Sequence, residues 1–296
     1  MITTATEPSP TDQRSVGAVL SGLNHLSLWR GRTVVLKYGG AAMGRAELRT
    51  SFARDVAGLR AAGVHPVIVH GGGPQIDILM RRLGKSPRFV DGLRVTDDET
   101  MELVEMVLVG RINPELVGLI NQQGGHAIGL NGKDSDLIVA HRRRHRRPNG
   151  ESVDLGWVGD VESINPDPLR LLDEHGLIPV IAPIATGRDG ATFNVNADHV
   201  AGIVAAALGA EALLQLTDVP GILDRNGRLI DIVSRWSLEG LVREHVVDGG
   251  MLPKIDAALN ALDGGAARVR IVDGRRPHAV GLALLSGESL GTEVVL

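Results

Sequence analysis

Apolar positions along this chain fall into two alternating rhythms. The first is the short unbroken run: "TVVLKY" from Thr33, "HPVIVH" from His65, "HAIGL" from His126, "LIPVIAPI" from Leu177, "ALLQLTDV" from Ala212, "RVRIVDG" from Arg268 and "GTEVV" from Gly291. Such runs, rich in β-branched residues and closed by glycine or other turn residues, predict strands buried on both faces. Between them the apolar period lengthens to that of a helix. Helices are predicted over 46–62 (closed by Gly63), 75–83, 97–123, 166–175 and 197–208, near 237–245, and from "GGMLPK" at Gly249 to about residue 263. Asp97, Asp98 and Glu99 open the longest of these, where negative charge suits the helix dipole. The βαβα order predicts an α/β fold: a doubly wound, mostly parallel open sheet between two helical layers, an αβα sandwich.

Three stretches depart from that rhythm. Residues 1 to about 13 are polar and carry two prolines, as in a disordered leader. Val16, Val19, Leu20, Leu23 and Leu26 then recur at helical spacing up to Gly31, an amphipathic helix whose stripe faces either its own domain or a partner, another protein or a second copy. Residues 136–161 read as a hairpin excursion turning at Pro148-Asn149-Gly150. Its basic run, Arg142–Arg147, is expected as the charged strand of a solvated hairpin, because no aromatic residues interleave it. "TGRDGATFN" at 186–194 is polar and turn-rich, which places a boundary near 187. The expected organisation is a leader and helix over 1–30, one lobe over 31–186 and a second over 187–296.

Composition narrows the function classes. Aromatics make up only 2% of the 296 residues, so the core is aliphatic, as a buried parallel sheet requires. A net charge of −4 supplies no polycation for nucleic acid. The absence of cysteine removes disulfides, thiolate metal sites and thiol nucleophiles. The N-terminus has no apolar core of a secretory signal, and no apolar stretch reaches membrane-spanning length. The chain is therefore expected in the cytoplasm, bound neither to nucleic acid nor to membrane.

The candidate chemistry gathers where strands end, which is where open α/β sheets collect ligands. "KYGG" ends the first strand with Lys37 before Gly39 and Gly40, the reverse of a P-loop, in which lysine follows the glycines. "HGGGP" ends the second with Gly71, Gly72 and Gly73, whose accessible amides suit an anion ahead of a helix N-terminus. Arg94 in "GLRVT" is placed to hold a carboxylate through paired hydrogen bonds. In "NVNAD", Asn194 is a candidate substrate ligand and Asp198 a candidate partner for a lysine ammonium, although Asn196 or Asp198 also suits a helix N-cap. "LTDVPGIL", with Asp218, Val219, Gly221 and Leu223, offers a shelf for a nucleotide. Lys254, in the first turns of a helix, opposes the dipole and so points to a nearby anion.

In order, KYGG, HGGGP, GLRVTD, IGLNGKD, VIAPI, NVNAD, LTDVPGIL and GGMLPK resemble the acetylglutamate kinases of the amino-acid kinase family, from Gly31 almost to the C-terminus. The resemblance implies that family's two-lobed fold. It implies transfer of phosphoryl from Mg-ATP to the γ-carboxylate of N-acetyl-L-glutamate, the second step of arginine synthesis. The N-terminal lobe would hold the amino acid and the C-terminal lobe the nucleotide. By the same resemblance Lys37, Lys254, Asp198 and Gly40 are catalytic, and Gly71, Gly72, Arg94 and Asn194 hold acetylglutamate. Lys37, Gly39, Gly40, Asp218, Val219, Gly221, Leu223, Met251 and Lys254 would meet ATP. Mg2+ would bind mainly through the phosphates, with no all-protein cage. The N-terminal helix implies a homodimer, or a hexamer built as a trimer of dimers.

Several positions depart from the family pattern. Ala41 stands where relatives usually carry asparagine, and Asn131 where LSGKD or LTGKD is usual. Arginine-inhibited members tend to show histidine, glutamate and methionine where this chain has Arg270, Ala283 and Glu293. A weak response to arginine is therefore expected. Two alternatives remain on the same fold: a paralogous kinase for a related N-acyl dicarboxylic amino acid such as an N-acylaminoadipate, and a non-catalytic sensor.

Overall fold

The computed structural model describes residues 10–147, 150–247, 249–286 and 290–296. Its first half runs α1 (Pro10–Trp29), β1 (Thr33–Tyr38), a 3-10 turn over Gly40–Met43, α2 (Ala46–Ala61), β2 (His65–His70) and α3 (Gly73–Arg82). A small ribbon follows, β3 (Phe89–Val90) and β4 (Leu93–Arg94), then α4 (Asp98–Val107), a π turn over Leu108–Ile112, α5 (Asn113–Gln122) and β5 (Ala127–Asn131). The excursion contains β6 (Ile138–Arg142), β7 (His145–Arg146), β8 (Ser152–Val153) and β9 (Gly159–Ile164). Next come α6 (Asp167–Glu174), β10 (Ile178–Ala182), β11 (Ile184–Thr186), β12 (Thr192–Asn194), α7 (Ala197–Leu208) and β13 (Ala212–Thr217). The chain closes with β14 (Ile232–Ser234), α8 (Arg235–Arg243), α9 (Leu252–Asp263), β15 (Val269–Asp273), α10 (Ala279–Leu285) and β16 (Thr292–Val295).

One eight-stranded sheet, ordered β14-β16-β15-β13-β1-β2-β10-β5, runs through the molecule. Its pairings are parallel except β15 with β16. Alternation along β1 sends Val34, Leu36 and Tyr38 into one aliphatic cluster and Val35 into the other, so both faces are covered and the three-layer expectation holds. Tyr38 stacks on Phe52 of α2, ring centroids 3.9 Å apart, on the first face. A second sheet, β12-β11-β6-β9, stands beside the large one. β10 passes into it across Pro183, which cannot continue a ladder as a donor.

Three expectations change in detail. Helix α1 starts at Pro10, so the leader is shorter than residues 1–13, of which 1–9 lie outside the described residues. The stripe of α1 divides: Trp29 donates its indole N–H to the Leu284 carbonyl at 2.9 Å and Leu26 packs beside it, while Val16, Val19, Leu20 and Leu23 are exposed. The helix expected over 97–123 is interrupted by the π turn, directly before Pro114, which has no N–H to donate to Gly110. The polar stretch 186–194 holds the antiparallel pair β11–β12, with residue 187 in its turn.

The excursion is a hairpin, β6 against β9. Pro148 and Asn149 of its expected turn lie outside the described residues. The basic run is paired with protein: Arg142 lies over the Trp157 ring at 4.5 Å, Arg143 meets Asp160 at 2.8 Å and Arg147 meets Glu151 at 2.8 Å. Among the described residues no helix is long and apolar enough to cross a membrane.

Candidate active site

Strand ends and helix starts meet above the middle of the large sheet. Asn196 caps α7, its side chain accepting from the amides of Asp198 at 2.8 Å and His199 at 3.2 Å. That cap leaves the carboxylate of Asp198 free for lysines. Lys37 Nζ, from the end of β1, lies 3.1 Å from Asp198 Oδ1, and Lys254 Nζ, from the first turn of α9, lies 3.2 Å from Oδ2. Lys37 and Asp198 are each 7% exposed. Burial lowers the Lys37 ammonium from its ordinary value, the Lys254 charge adding to this and Asp198 opposing it. Burial alone would raise the Asp198 carboxyl, but the two ammonium charges and their hydrogen bonds hold it below the usual range.

The glycine loop after β2 is fixed from beneath. The imidazole of His70 is fully buried; burial pushes it down to about 4, so it is neutral. Asn113 Nδ2 donates to His70 Nε2 at 3.2 Å and to the Val180 carbonyl at 2.8 Å. The other ring nitrogen, Nδ1, therefore carries the proton and donates to the Gly71 carbonyl at 2.9 Å. The Gly71 amide donates to the Tyr38 carbonyl at 2.8 Å, tying this loop to the KYGG turn. A Cβ on Gly72 would collide with the methyl ends of Leu108 and Ile112, both in the π turn. Gly40 has φ +60°, a left-handed conformation open to glycine at little cost.

Two clefts open on Lys37. One, about 620 Å³, is lined by the glycine loops together with Arg94, Asn194 and Asp198. Arg94, 9% exposed, is oriented by Asp77 Oδ1 at 2.7 Å from Nη1 and by donating from Nη2 to the Gly73 carbonyl at 3.3 Å. Asn194 Nδ2 donates to Thr96 Oγ1 at 3.3 Å. This cleft thus offers a guanidinium, a carboxamide and backbone amides, a donor set for a small dicarboxylate. The second cleft, about 880 Å³, is lined by Leu216, Asp218, Val219, Gly250, Met251 and Lys254. Lys37, Gly39 and Gly40 border both. A cation shared by two clefts suits a group passing from one ligand to the other.

Of the residues expected here, Lys37, Gly39, Gly40, Gly71, Gly72, Arg94, Asn194, Asp198, Asp218, Val219, Met251 and Lys254 line these clefts. Gly221 and Leu223 do not: Gly221 packs against Thr292 and Leu229, and Leu223 bridges to Leu229. His70, Asn113 and Asp77 were not singled out by sequence. A lone polar residue beside the Gly triplet was the one available signal, at His70. Asn113 reaches it across 43 residues and Asp77 sits within an ordinary helix pattern.

Residues 32–273 match the amino acid kinase family. The chain belongs to that family. It is 46% identical to the acetylglutamate kinase of Syntrophus aciditrophicus (strain SB) over 292 residues, covering 97% of this chain and 98% of the other. It is 48% identical to the acetylglutamate kinase of Burkholderia thailandensis over 276 residues, 92% of each. The crystal structure of an N-acetylglutamate synthase from Neisseria gonorrhoeae, complexed with coenzyme A and N-acetyl-glutamate, superposes with a TM-score of 0.83 over 95% of this chain at 24% identity. This chain spans 63% of that synthase chain, and the likeness shows the shared amino acid kinase fold.

The positions that depart from the family pattern can now be located. Asn131 serves its own turn, accepting from the Lys133 amide at 3.0 Å and donating to Asp134 at 3.0 Å, and it borders neither cleft. Ala41 lies in the turn after β1, and its side chain is outside those described. Arg270 donates to the Glu293 carboxylate, and to the Ala283 carbonyl at 3.4 Å, so these three departures form one cluster beside α10.

Proposed function

We propose that this amino acid kinase is an acetylglutamate kinase, transferring the γ-phosphoryl group of ATP to the γ-carboxylate of N-acetyl-L-glutamate. The product would be N-acetyl-L-glutamyl 5-phosphate, in the second step of arginine biosynthesis. The observation that carries the reading is the meeting of two clefts at Lys37, with Asp198 held between Lys37 and Lys254 at 3.1 and 3.2 Å.

On this reading residues 31–186 form the amino-acid lobe and 187–296 the nucleotide lobe. Arg94 receives the α-carboxylate of acetylglutamate, with Asn194 and the amides of Gly71 and Gly72 beside it. Asp218, Val219 and Met251 border the nucleotide. A γ-carboxylate oxygen attacks the γ-phosphorus, the bond to the β-phosphate oxygen breaks, and ADP leaves. The nucleophile is already an anion, so no general base is required. The problem is repulsion: carboxylate and triphosphate must approach while like-charged. Lys37 and Lys254 offset that charge, and the Gly40 and Gly72 amides add fixed dipoles. Asp198 holds each ammonium at its post and keeps the empty site from carrying two unopposed cations.

Mg2+ bound to the phosphates would supply further charge neutralisation. The donor set fits that arrangement: both oxygens of Asp198 are engaged by lysines, which leaves Asp218 as the cleft carboxylate available to a metal or its water shell. The exposed α1 residues Val16, Val19, Leu20 and Leu23 support self-association, as a homodimer or a trimer of dimers, in a cytoplasmic enzyme. Sedimentation of a Leu20→Asp/Leu23→Asp variant tests this; an unchanged mass would refute it.

A substrate panel tests the function. Purified protein with Mg-ATP is offered acetylglutamate, glutamate, acetylaspartate and acetylaminoadipate, and acyl phosphate is trapped with hydroxylamine. Acetylglutamate is expected to give the highest kcat/KM. Preference for acetylaminoadipate would support the paralogue instead, and no turnover with any of them the sensor.

A further inference from the structure

Gln215 lies fully buried within β13. Neither its Oε1 nor its Nε2 has a hydrogen-bond partner among the described residues. A buried carboxamide in that state forfeits the bonds it makes in water, so unpaired ones are rare and ask for a reason. On one side Gln215 is in register with Lys37 of β1, on the other with Ile271 of β15. Neighbouring parallel strands in register send their side chains to the same face. The carboxamide therefore stands beside the Lys37 side chain, on the face covered by α7 and α9. The residues around it there are aliphatic: Val35, Val69, Leu213, Ile255, Ala258 and Ile271. An apolar side chain would suit the strand better than an idle amide does.

Lys37 supplies the reason. Its ammonium has three protons to place. One goes to Asp198 Oδ1 at 3.1 Å. On the kinase reading, on which this inference rests, a second meets the transferring phosphoryl group. The third has no acceptor among the described residues besides Asp198, and Gln215 is the polar neighbour in register. We propose that Gln215 is a positioning residue for Lys37: once the clefts are filled, its Oε1 accepts the remaining ammonium proton and fixes Nζ between Asp198 and the phosphoryl group. Rotation about the side-chain bonds of Gln215 makes the contact, with no change in the strand.

The test uses Gln215→Met, Gln215→Leu and Gln215→Glu in the full chain. Acyl phosphate is trapped with Mg-ATP and acetylglutamate between about pH 6 and pH 10, and thermal midpoints are measured alongside. The Met and Leu variants are expected to melt at or above the wild type, because an unpaired amide has been removed. Their kcat should fall about tenfold, with both KM values within about twofold, the signature of a lost hydrogen bond to a charged group acting at the reacting centre. The alkaline limb of kcat should move to lower pH, since the ammonium has lost an acceptor. The other charged groups facing Lys37 are Asp198 from α7, Lys254 from α9 and Asp218 from the loop after β13, and all remain. Gln215→Glu keeps an acceptor and should return the limb to its wild-type position or above. A Met variant with kcat within twofold of wild type and an unmoved limb overturns the inference. So does parallel loss of melting temperature, kcat and KM in both apolar variants, which marks a structural role. Wild type without turnover on any acyl dicarboxylate overturns the kinase reading itself, and this inference with it.

Discussion

Replacing Asp198 with asparagine removes one negative charge and almost no volume, so its effects are electrostatic. In the wild type one carboxylate faces two ammonium groups at 3.1 and 3.2 Å. With an effective dielectric of about 20, each contact is worth about 5 kcal/mol of gross Coulomb attraction, much of it offset by the desolvation of burying the charges. Measured losses on breaking buried pairs run to about 3–5 kcal/mol. The structure also sets a ceiling, because a lysine left without its partner can shed its proton. At pH 7 that costs about 1.4 kcal/mol per unit over about 3.5 units, or about 5 kcal/mol. Asp198→Asn should therefore lower the unfolding free energy by about 3–5 kcal/mol. Catalysis should suffer more: one of the two cations opposing the phosphoryl charge becomes neutral or misplaced, and kcat should fall about 100- to 1000-fold, as when one preorganised donor is lost. The remaining activity should fall away at lower pH than in the wild type, because the Asp198 charge that opposes the lowering of Lys37 is gone. Denaturant unfolding and hydroxamate-trapped turnover across pH read both effects. A variant with kcat within threefold of wild type and an unmoved alkaline limb would refute the argument that Asp198 holds both ammonium groups in place and supports the Lys37 charge.

Arg94→Lys retains the charge and loses the planar fork, so the KM for acetylglutamate should rise about ten- to a hundredfold with a smaller change in kcat; steady-state kinetics with an unchanged KM would count against it. His70 is neutral in the fold at about 4 but titrates near 6.5 when unfolded, so the unfolded chain binds the extra proton between those values. Its contribution is complete above about pH 6.5 and is lost as pH falls toward 4, about 1.4 kcal/mol per unit and about 3.5 kcal/mol in all; urea unfolding at several pH values should show this slope, and His70→Gln should flatten it. L-arginine should half-inhibit only above about 1 mM, because the Arg270–Glu293–Ala283 cluster already satisfies its own polar groups; stronger inhibition in the kinase assay would refute this.

The layers and the central strands were legible in the sequence because a strand buried on both faces has to be aliphatic throughout. β1, β2, β10 and β13 all read that way, and all are central. The edge strand β14 was not legible, since Ile232 is exposed and three residues carry no period. Within the site, Lys37, the Gly triplet and Asp198 were legible because they sit at strand ends or helix starts, where residue type and position combine into a signal. Asn113 was not, because its role depends on a π turn that aims it at His70. Nor was the choice between Asn196 and Asp198 as the α7 cap, which only the geometry of the first turn decides: Asn196 takes the amides, and Asp198 is left for the lysines. Gln215 was visible as a polar residue in an aliphatic strand, but its neighbour across the ladder was not.

The pairing of β1 with β13, Val34–Lys37 against Ala212–Gln215, has a mechanical consequence. The two halves of the molecule are not bodies strung on a flexible tether; they share one ladder of backbone hydrogen bonds. Lys37 stands at the end of β1, and Lys254 is borne by α9, which packs on β13 and β15. Both cations are therefore mounted on the same ladder, and the carboxylate of Asp198 spans the gap between them.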